Sequence, residues 1–251
     1  MAERIDYTGP DWYEYGYEHV QRYTLAGSHA SGLRVLDVGC GIGYGSFMLK
    51  QWGAAAVVGI DYSPETVAQA NQTYASEGVS FVTADAQALP DSLGMFDLAV
   101  SFENIEHLPD PRSFVRSVAD RLKPGGMLIV SAPNKLQFSE ATVPVENEFH
   151  HAEPEYEELV DWLSQSFVIR SQFEQMMIDH LPYNFTTSFV QGRNAWTTKI
   201  SLLFQKLLKP IFPDRLPVVK SGHFFRRTEI VPLLPYRRRT CNTFVFVCVK
   251  K

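Results

Sequence analysis

A doubly wound α/β fold around a largely parallel sheet is the architecture this 251-residue sequence predicts. Three observations carry the prediction. Short apolar runs of strand length alternate with stretches of amphipathic helical spacing, the pattern of βαβ units. A glycine-rich segment, residues 38–45 (VGCGIGYG), stands where the first strand meets a helix, and open α/β sheets hold ligands at such places. Turn and cap signals punctuate the alternation, Ser63-Pro64 before one helix and Lys123-Pro124-Gly125-Gly126 before a strand.

The elements follow in order. Residues 11–30 place Tyr13, Tyr17, Val20 and Ala26 at mixed helical spacing, so a helical segment opens the chain. Residues 33–38 (LRVLDV) form the first strand and residues 44–52 the next helix. Residues 55–60 (AAVVGI) form the second strand. Ser63 caps a helix that runs to about residue 76, with Pro64 in its first turn. Residues 79–83 and 96–101 (FDLAVS) are the third and fourth strands, residues 111–122 a helix and residues 127–132 the fifth strand. Residues 154–165 (PEYEELVDWLSQ) form another helix and 167–173 another strand. Regularity fails beyond residue 176. Residues 176–240 mix proline, aromatic and basic residues around one amphipathic stretch, 200–208 (ISLLFQKLL), and read as an insertion before a last strand at 242–249 (NTFVFVCV). The layout is a single domain: a helical cap over 1–32, a ligand-binding core over 33–175, a basic and aromatic insertion over 176–240 that serves as a lid, and the last strand within 241–251.

Composition limits the class. With 45% hydrophobic and 20% charged residues the chain is too apolar for a disordered one, and its 16 Gly and 15 Pro follow no period. Its apolar runs fall short of the roughly 20 residues a membrane span needs. The opening residues carry acids and tyrosines where a secretory signal has a basic start and an apolar stretch. Cys40, Cys241 and Cys248 make neither a disulfide framework nor a CxxC zinc pair. A protein of the reducing cytoplasm is the expectation. Charge is split unevenly: residues 1–192 hold 10 Lys+Arg against 26 Asp+Glu, residues 193–251 hold 13 against 2. The basic end suits an anionic ligand or surface, or the protein's own acidic body.

The glycine-rich loop carries the chemistry. Asp37 lies inside the strand two residues before it, where an apolar residue is expected, and a buried carboxylate must find donors. The order is D-x-G-x-G-x-G, with Tyr44 where the third glycine of a dinucleotide fingerprint belongs. An acid beside the loop repels a diphosphate and suits a ligand with a cationic end. Asp61 ends the second strand, placed to accept from ribose hydroxyls. Asp85 follows the third, placed to meet an adenine amino group.

At these residues the chain resembles the class I S-adenosylmethionine-dependent methyltransferases. The motifs run in order as VLDVGCGIGYG, GIDYSPE, ADAQALP, FDLAVSFENIEHLPDP and LKPGGMLIVSAPN, over residues 33–134. The resemblance implies a seven-stranded sheet of order 3-2-1-4-5-7-6 with strand 7 antiparallel, and S-adenosyl-L-methionine as cofactor. The cofactor-binding set it implies is Arg22, Asp37, Gly39, Cys40, Gly41, Gly43, Asp61, Tyr62, Asp85, Ala86, Ser101 and Glu103. Arg22 and Tyr23 would close over the cofactor, Arg22 holding its carboxylate by a charge-assisted bond; the Cys40 side chain reads as a small packing group.

An alcohol or phenol acceptor needs a base, and histidine is suited near neutral pH. His107 follows the fourth strand in Glu103-Asn104-Ile105-Glu106-His107, where Glu103 and Glu106 would raise its basicity; His150 and His151 follow the fifth. The catalytic set is His107, His150 and Glu103. No metal is expected, because His107, Glu103 and His150 lack tight ligand spacing. Residues 131–175 are also similar to methyltransferases of bacterial surface-glycan and secondary-metabolite pathways, so a small-molecule acceptor, glycosidic or phosphorylated, is methylated at oxygen or nitrogen, a sugar or glycoconjugate hydroxyl first. Arg226, Arg227 and Arg237 to Arg239 would hold a phosphate. The alternatives are a lipid-linked or quinone acceptor, with peripheral membrane contact through residues 193–240, an RNA methyltransferase, and a cofactor-binding protein without turnover. Nucleic acid is disfavoured, since no RNA-binding module is recognisable.

Overall fold

In the computed structural model, residues 16–138, 153–182, 224–235, 238 and 242–251 are described. Eight strands form one sheet of order β3-β2-β1-β4-β5-β8-β6-β7. In chain order the elements are α1 (Tyr17–Ala30), β1 (Arg34–Val38), α2 (Tyr44–Gln51), β2 (Ala56–Asp61), α3 (Pro64–Tyr74), β3 (Val79–Thr83), β4 (Phe96–Ser101), α4 (Pro111–Arg121), β5 (Leu122–Pro133), α5 (Lys135–Phe138), α6 (Tyr156–Ser164), β6 (Phe167–Pro182), β7 (Phe224–Pro232) and β8 (Thr243–Lys250). Short 3-10 turns occupy Asp91–Leu93 and Ile105–His107. One compact unit includes His19–Met176 and Glu229–Lys251, and the contacts described below lie within it; the other includes Met177–Thr228.

Strands β1 to β5 are parallel, β1 lying between β2 and β4. The central strands β1 and β4 are covered on both faces, which explains their near-continuous apolar runs: in β1 all but Arg34 are buried. The helices present narrower stripes. From α4, Phe114, Val115 and Val118 join Leu36, Phe96 and Leu128 in the core, and Leu159 and Leu163 of α6 join Phe244 and Phe246 of β8. N-caps start α3 and α4 at the residues where the sequence begins those helices. The Ser63 hydroxyl accepts from Thr66 N at 3.3 Å, and Asp110 Oδ1 accepts from Arg112 N and Ser113 N, both at 3.1 Å.

The seven-stranded expectation needs one correction. β8 takes the place of the expected seventh strand, antiparallel between β5 and β6, and β7, inside the presumed irregular insertion, adds an eighth strand at the edge. Its sequence, FFRRTEIVP, lacks period-2 alternation, so pattern alone did not reveal it. β6 also runs to Pro182 rather than ending at residue 173, and β5 begins at Leu122, with Gly125 (φ 72°) absorbing the Pro-Gly-Gly break inside the strand.

Because β2 and β4 flank β1 on opposite sides, the chain reverses its winding direction at β1. The crevice beyond the carboxyl ends of β1 and β4 is where such a sheet receives ligands.

Candidate active site

The glycine-rich loop lies at that crevice and is tied to β2 through residues 39–41. Gly39 N and Cys40 N both donate to Ile60 O at 2.9 Å. Gly41 N donates to Asp61 Oδ2 at 3.1 Å, and Ser63 N to Asp61 Oδ1 at 2.9 Å. Asp61 therefore clamps the loop as well as ending β2, and each of its oxygens keeps a second lone pair for a ligand hydroxyl.

The four glycines are required for different reasons. A Cβ on Gly39 would lie 2.7 Å from Asn104, one on Gly43 2.6 Å from the Phe81 ring, and one on Gly45 1.9 Å from the Tyr23 ring. At these three the protein's own packing excludes a side chain. Gly41 has φ +54° and open space within 4 Å of its missing Cβ. It is the loop position whose bare backbone a ligand can approach.

Behind the loop, Asp37 is fully buried in β1 and finds its donors in two neighbouring helices. Ser46 Oγ of α2 donates to Oδ2 at 2.6 Å, and Tyr23 Oη of α1 lies 3.1 and 3.2 Å from the two oxygens. Burial raises the carboxyl to about 6, opposed by the Ser46 and Tyr23 hydrogen bonds and assisted by the nearby Asp61 charge. The Tyr23 ring sits over Gly45 and meets Phe102 edge-on at 4.9 Å. Burial, then Asp37's charge, pushes its phenol well above the usual tyrosine range, so it remains a donor.

The preceding residue, Arg22, is 1% exposed. Its Nη1 donates to Gln175 Oε1 of β6 and lies 3.9 Å from Glu103 Oε1, while Nε is buried without a hydrogen-bond partner. Glu103 is the non-glycine residue with positive φ (48°) among the described residues. Ser131 of β5 holds it there, its Oγ donating to Glu103 Oε1 at 2.6 Å and accepting from Glu103 N at 3.1 Å. A non-glycine residue in this conformation needs such anchoring. Glu106 differs from the sequence expectation: it is 1% exposed and its Oε2 lacks a hydrogen-bond partner. Burial, then the Glu103 charge, raises its carboxyl well above the carboxylate range, which favours the neutral form.

The remaining expected residues are placed as follows. Tyr62 is 79% exposed at the end of β2, and Ala86 is buried. Asp85 Oδ1 accepts from Gln87 N at 2.8 Å and Gln87 Nε2 at 3.3 Å. Ser101 is fully buried; its hydroxyl donates to Val38 O at 3.0 Å and accepts from Asn104 Nδ2 at 3.1 Å, pinning β4 to β1. Cys40 is buried, as a packing residue should be. His107 is half-buried in the 3-10 turn, its backbone N donating to Asn104 O at 3.1 Å. His150 and His151 lie outside the described residues, as do Arg237 and Arg239; of Arg226 and Arg227 only the backbone, in β7, is described.

Sequence reasoning missed Tyr23 and Ser46 as partners of Asp37, Asn104 as the wall against Gly39, and His19. The His19 ring lies 6.5 Å from that of Tyr44, edge to face, and burial with the Arg22 charge holds it neutral. The available signal was spacing: His19 and Tyr23 stand at i and i+4 on α1, hence on one face with Ala26 and Ala30.

Residues 36–130 match the family described as a methyltransferase domain. The chain is 34% identical over 145 residues to a protein of Mycolicibacterium smegmatis named a probable S-adenosylmethionine-dependent methyltransferase, covering 58% of this chain and 55% of that protein. It is 39% identical over 117 residues to the ubiquinone biosynthesis O-methyltransferase of Xanthomonas axonopodis pv. citri, covering 45% and 48%. The chain thus spans about half the length of the relatives it matches. The solved S-adenosylmethionine-dependent methyltransferase of Mesorhizobium loti superposes with a TM-score of 0.55 at 17% identity, covering 91% of this chain and 98% of that one, a likeness of fold. With strand order, glycine loop and acid-terminated strands in agreement, residues 36–130 belong to the class I S-adenosylmethionine-dependent methyltransferases.

Proposed function

We propose that this protein transfers a methyl group from S-adenosyl-L-methionine to oxygen or nitrogen of a small molecule, with a sugar or glycoconjugate hydroxyl as the first acceptor class. The observation that carries the cofactor assignment is the open face at Gly41, held by Asp61 at the β1/β4 crevice. The residues present fit that cofactor. The buried, partnerless Nε of Arg22 suits its carboxylate, and Asp61 retains lone pairs for ribose hydroxyls. Exposed Tyr62, with Asp85 and buried Ala86, would line the adenine. Glu103 would take its ammonium group, with Asp37 adding negative field from behind the loop. Ser101 would act through the Val38 carbonyl and Asn104 rather than by touching the ligand.

When bound, the cofactor supplies an electrophilic methyl on a sulfonium. The chain's own part is to align an acceptor lone pair with it and to remove the acceptor's proton. His107 is the assigned base, with His150 as a second histidine from the loop after β5; residues 176–240 would recognise the acceptor and residues 1–32 would cap the cofactor. Among the described residues no helix is long and apolar enough to cross a membrane, and action in the cytoplasm fits that. Calorimetric titration with S-adenosylhomocysteine and with NADH tests the cofactor assignment. Binding of the first alone is expected; binding of NADH alone overturns it.

A second acceptor reading is a quinol or phenol. It is favoured by the 39% identity to a ubiquinone biosynthesis O-methyltransferase. Transfer of labelled methyl to a panel of nucleotide sugars, aminosugars and catechols separates the two: incorporation into catechols alone selects the second.

A further inference from the structure

We propose that Tyr23 is a positioning residue for the cofactor site, its hydroxyl acting with that of Ser46 to keep the Asp37 carboxylate ionised and fixed behind the glycine-rich loop. The role rests on the methyltransferase reading for its consequence, but the geometry stands without it. Asp37 is fully buried inside a parallel sheet, an environment that disfavours charge. Two hydroxyl donors converge on it from separate helices, Ser46 at 2.6 Å from α2 and Tyr23 at 3.1 and 3.2 Å from α1.

The Tyr23 arrangement is built into the loop. Gly45 leaves room that a single methyl would fill, 1.9 Å from the ring, and the ring is seated in it between Phe102 and Tyr44, with centroids 4.9 and 5.9 Å away. The final glycine of the loop thus serves the tyrosine rather than a ligand. Without the two donors, the groups facing Asp37 would all oppose its charge or leave it unaided: Asp61 from β2, Cys40 from the loop and Tyr44 from α2 are anionic or neutral. Arg22, beside Tyr23 on α1, is directed to Gln175 and Glu103. The two helix hydroxyls are the groups that favour the ionised form.

An ionised Asp37 favours a cationic ligand end in front of the loop, so affinity for that end is present above its pKa and lost as pH falls through it. Tyr23→Phe keeps the ring in its recess and removes one donor. The test has two arms. In the ligand-free protein, carbon NMR of the Asp37 carboxyl, assigned by its disappearance in Asp37→Asn, should titrate near 6. In Tyr23→Phe the midpoint should rise by about one to two pH units, the worth of one charge-assisted hydrogen bond. Ser46→Ala should raise it similarly. Replacing Tyr23 with 3,5-difluorotyrosine, a stronger donor of nearly the same shape, should lower it, which keeps the arm decisive if Tyr23→Phe does not fold. An unchanged midpoint in these variants overturns the proposal.

In the second arm, calorimetry with S-adenosylhomocysteine from pH 6 to 9 should show Tyr23→Phe weakened by roughly two- to tenfold near pH 7 and close to wild type at pH 9. A loss equal at every pH would make Tyr23 a packing residue only and overturn the proposal. If the wild-type protein binds no S-adenosylhomocysteine, the cofactor reading fails, and the ligand-free titration still decides the role of Tyr23.

Discussion

Replacing Asp37 with Asn tests how the molecule tolerates a charge inside its sheet. The carboxyl titrates near 6 in the folded protein against 3.8 in an unfolded chain, burial being the main cause. A carboxyl with a raised folded pKa retains its proton longer in the native state, so its contribution to stability is greatest at acid pH. That contribution falls as pH rises from about 4 through about 6. The difference of roughly 2 pH units corresponds to about 3 kcal/mol, at about 1.4 kcal/mol per unit. The Asn side chain keeps the shape, can accept from Ser46 and can donate to Tyr23, but does not titrate. Urea denaturation of both proteins at half-unit intervals from pH 4 to 8 isolates the effect, since Glu106 and all other groups titrate in both. Wild type should lose about 2.5 kcal/mol relative to Asp37→Asn across this range, most of it below pH 7. Parallel stability curves would refute the claim that Asp37 carries a buried charge.

Four further outcomes are expected. Gly45→Ala drives a methyl into the Tyr23 ring and should destabilise by about 1–3 kcal/mol. Gly41→Ala meets open space, should cost only about 1–2 kcal/mol of backbone strain, and should abolish S-adenosylhomocysteine binding in calorimetry; intact binding would remove Gly41 as the contact surface. His107→Ala should lower methyl-transfer turnover while leaving cofactor affinity within a few-fold, and unaltered turnover would dismiss it as base. Asp110→Ala removes the acceptor for Arg112 N and Ser113 N and should lower the midpoint of thermal or urea melts, with no change in cofactor affinity.

Much of the fold was legible because its strands are short apolar runs bounded by turn signals, so β3 and β4 match their expected bounds to the residue. Ser63 and Pro64 marked the start of α3 by local chemistry that tertiary context had no reason to override. β7 escaped because an edge strand is recruited by the unpaired backbone of its neighbour, which no side-chain pattern need announce. In the site, Asp61 was read as a ligand acceptor, yet it also clamps Gly41, a role visible only when a residue 20 positions earlier is brought beside it. Glu106 was read as a charge raising the basicity of His107, whereas the 3-10 turn buries it.

What the linear order of residues determined by itself was the class of protein: a glycine loop after one acid, a second and a third acid at the next strand ends, and helices between. Those features are local, each fixed by backbone conformation and hydrogen-bonding needs within a few residues. Tertiary structure decided what each of them touches. It seated Tyr23 over Gly45 and against Asp37, 14 residues along the chain, and joined Arg22 to Gln175, 153 residues away. Such pairings depend on how the sheet winds, because a buried charge takes its donors from whichever element folding packs against it.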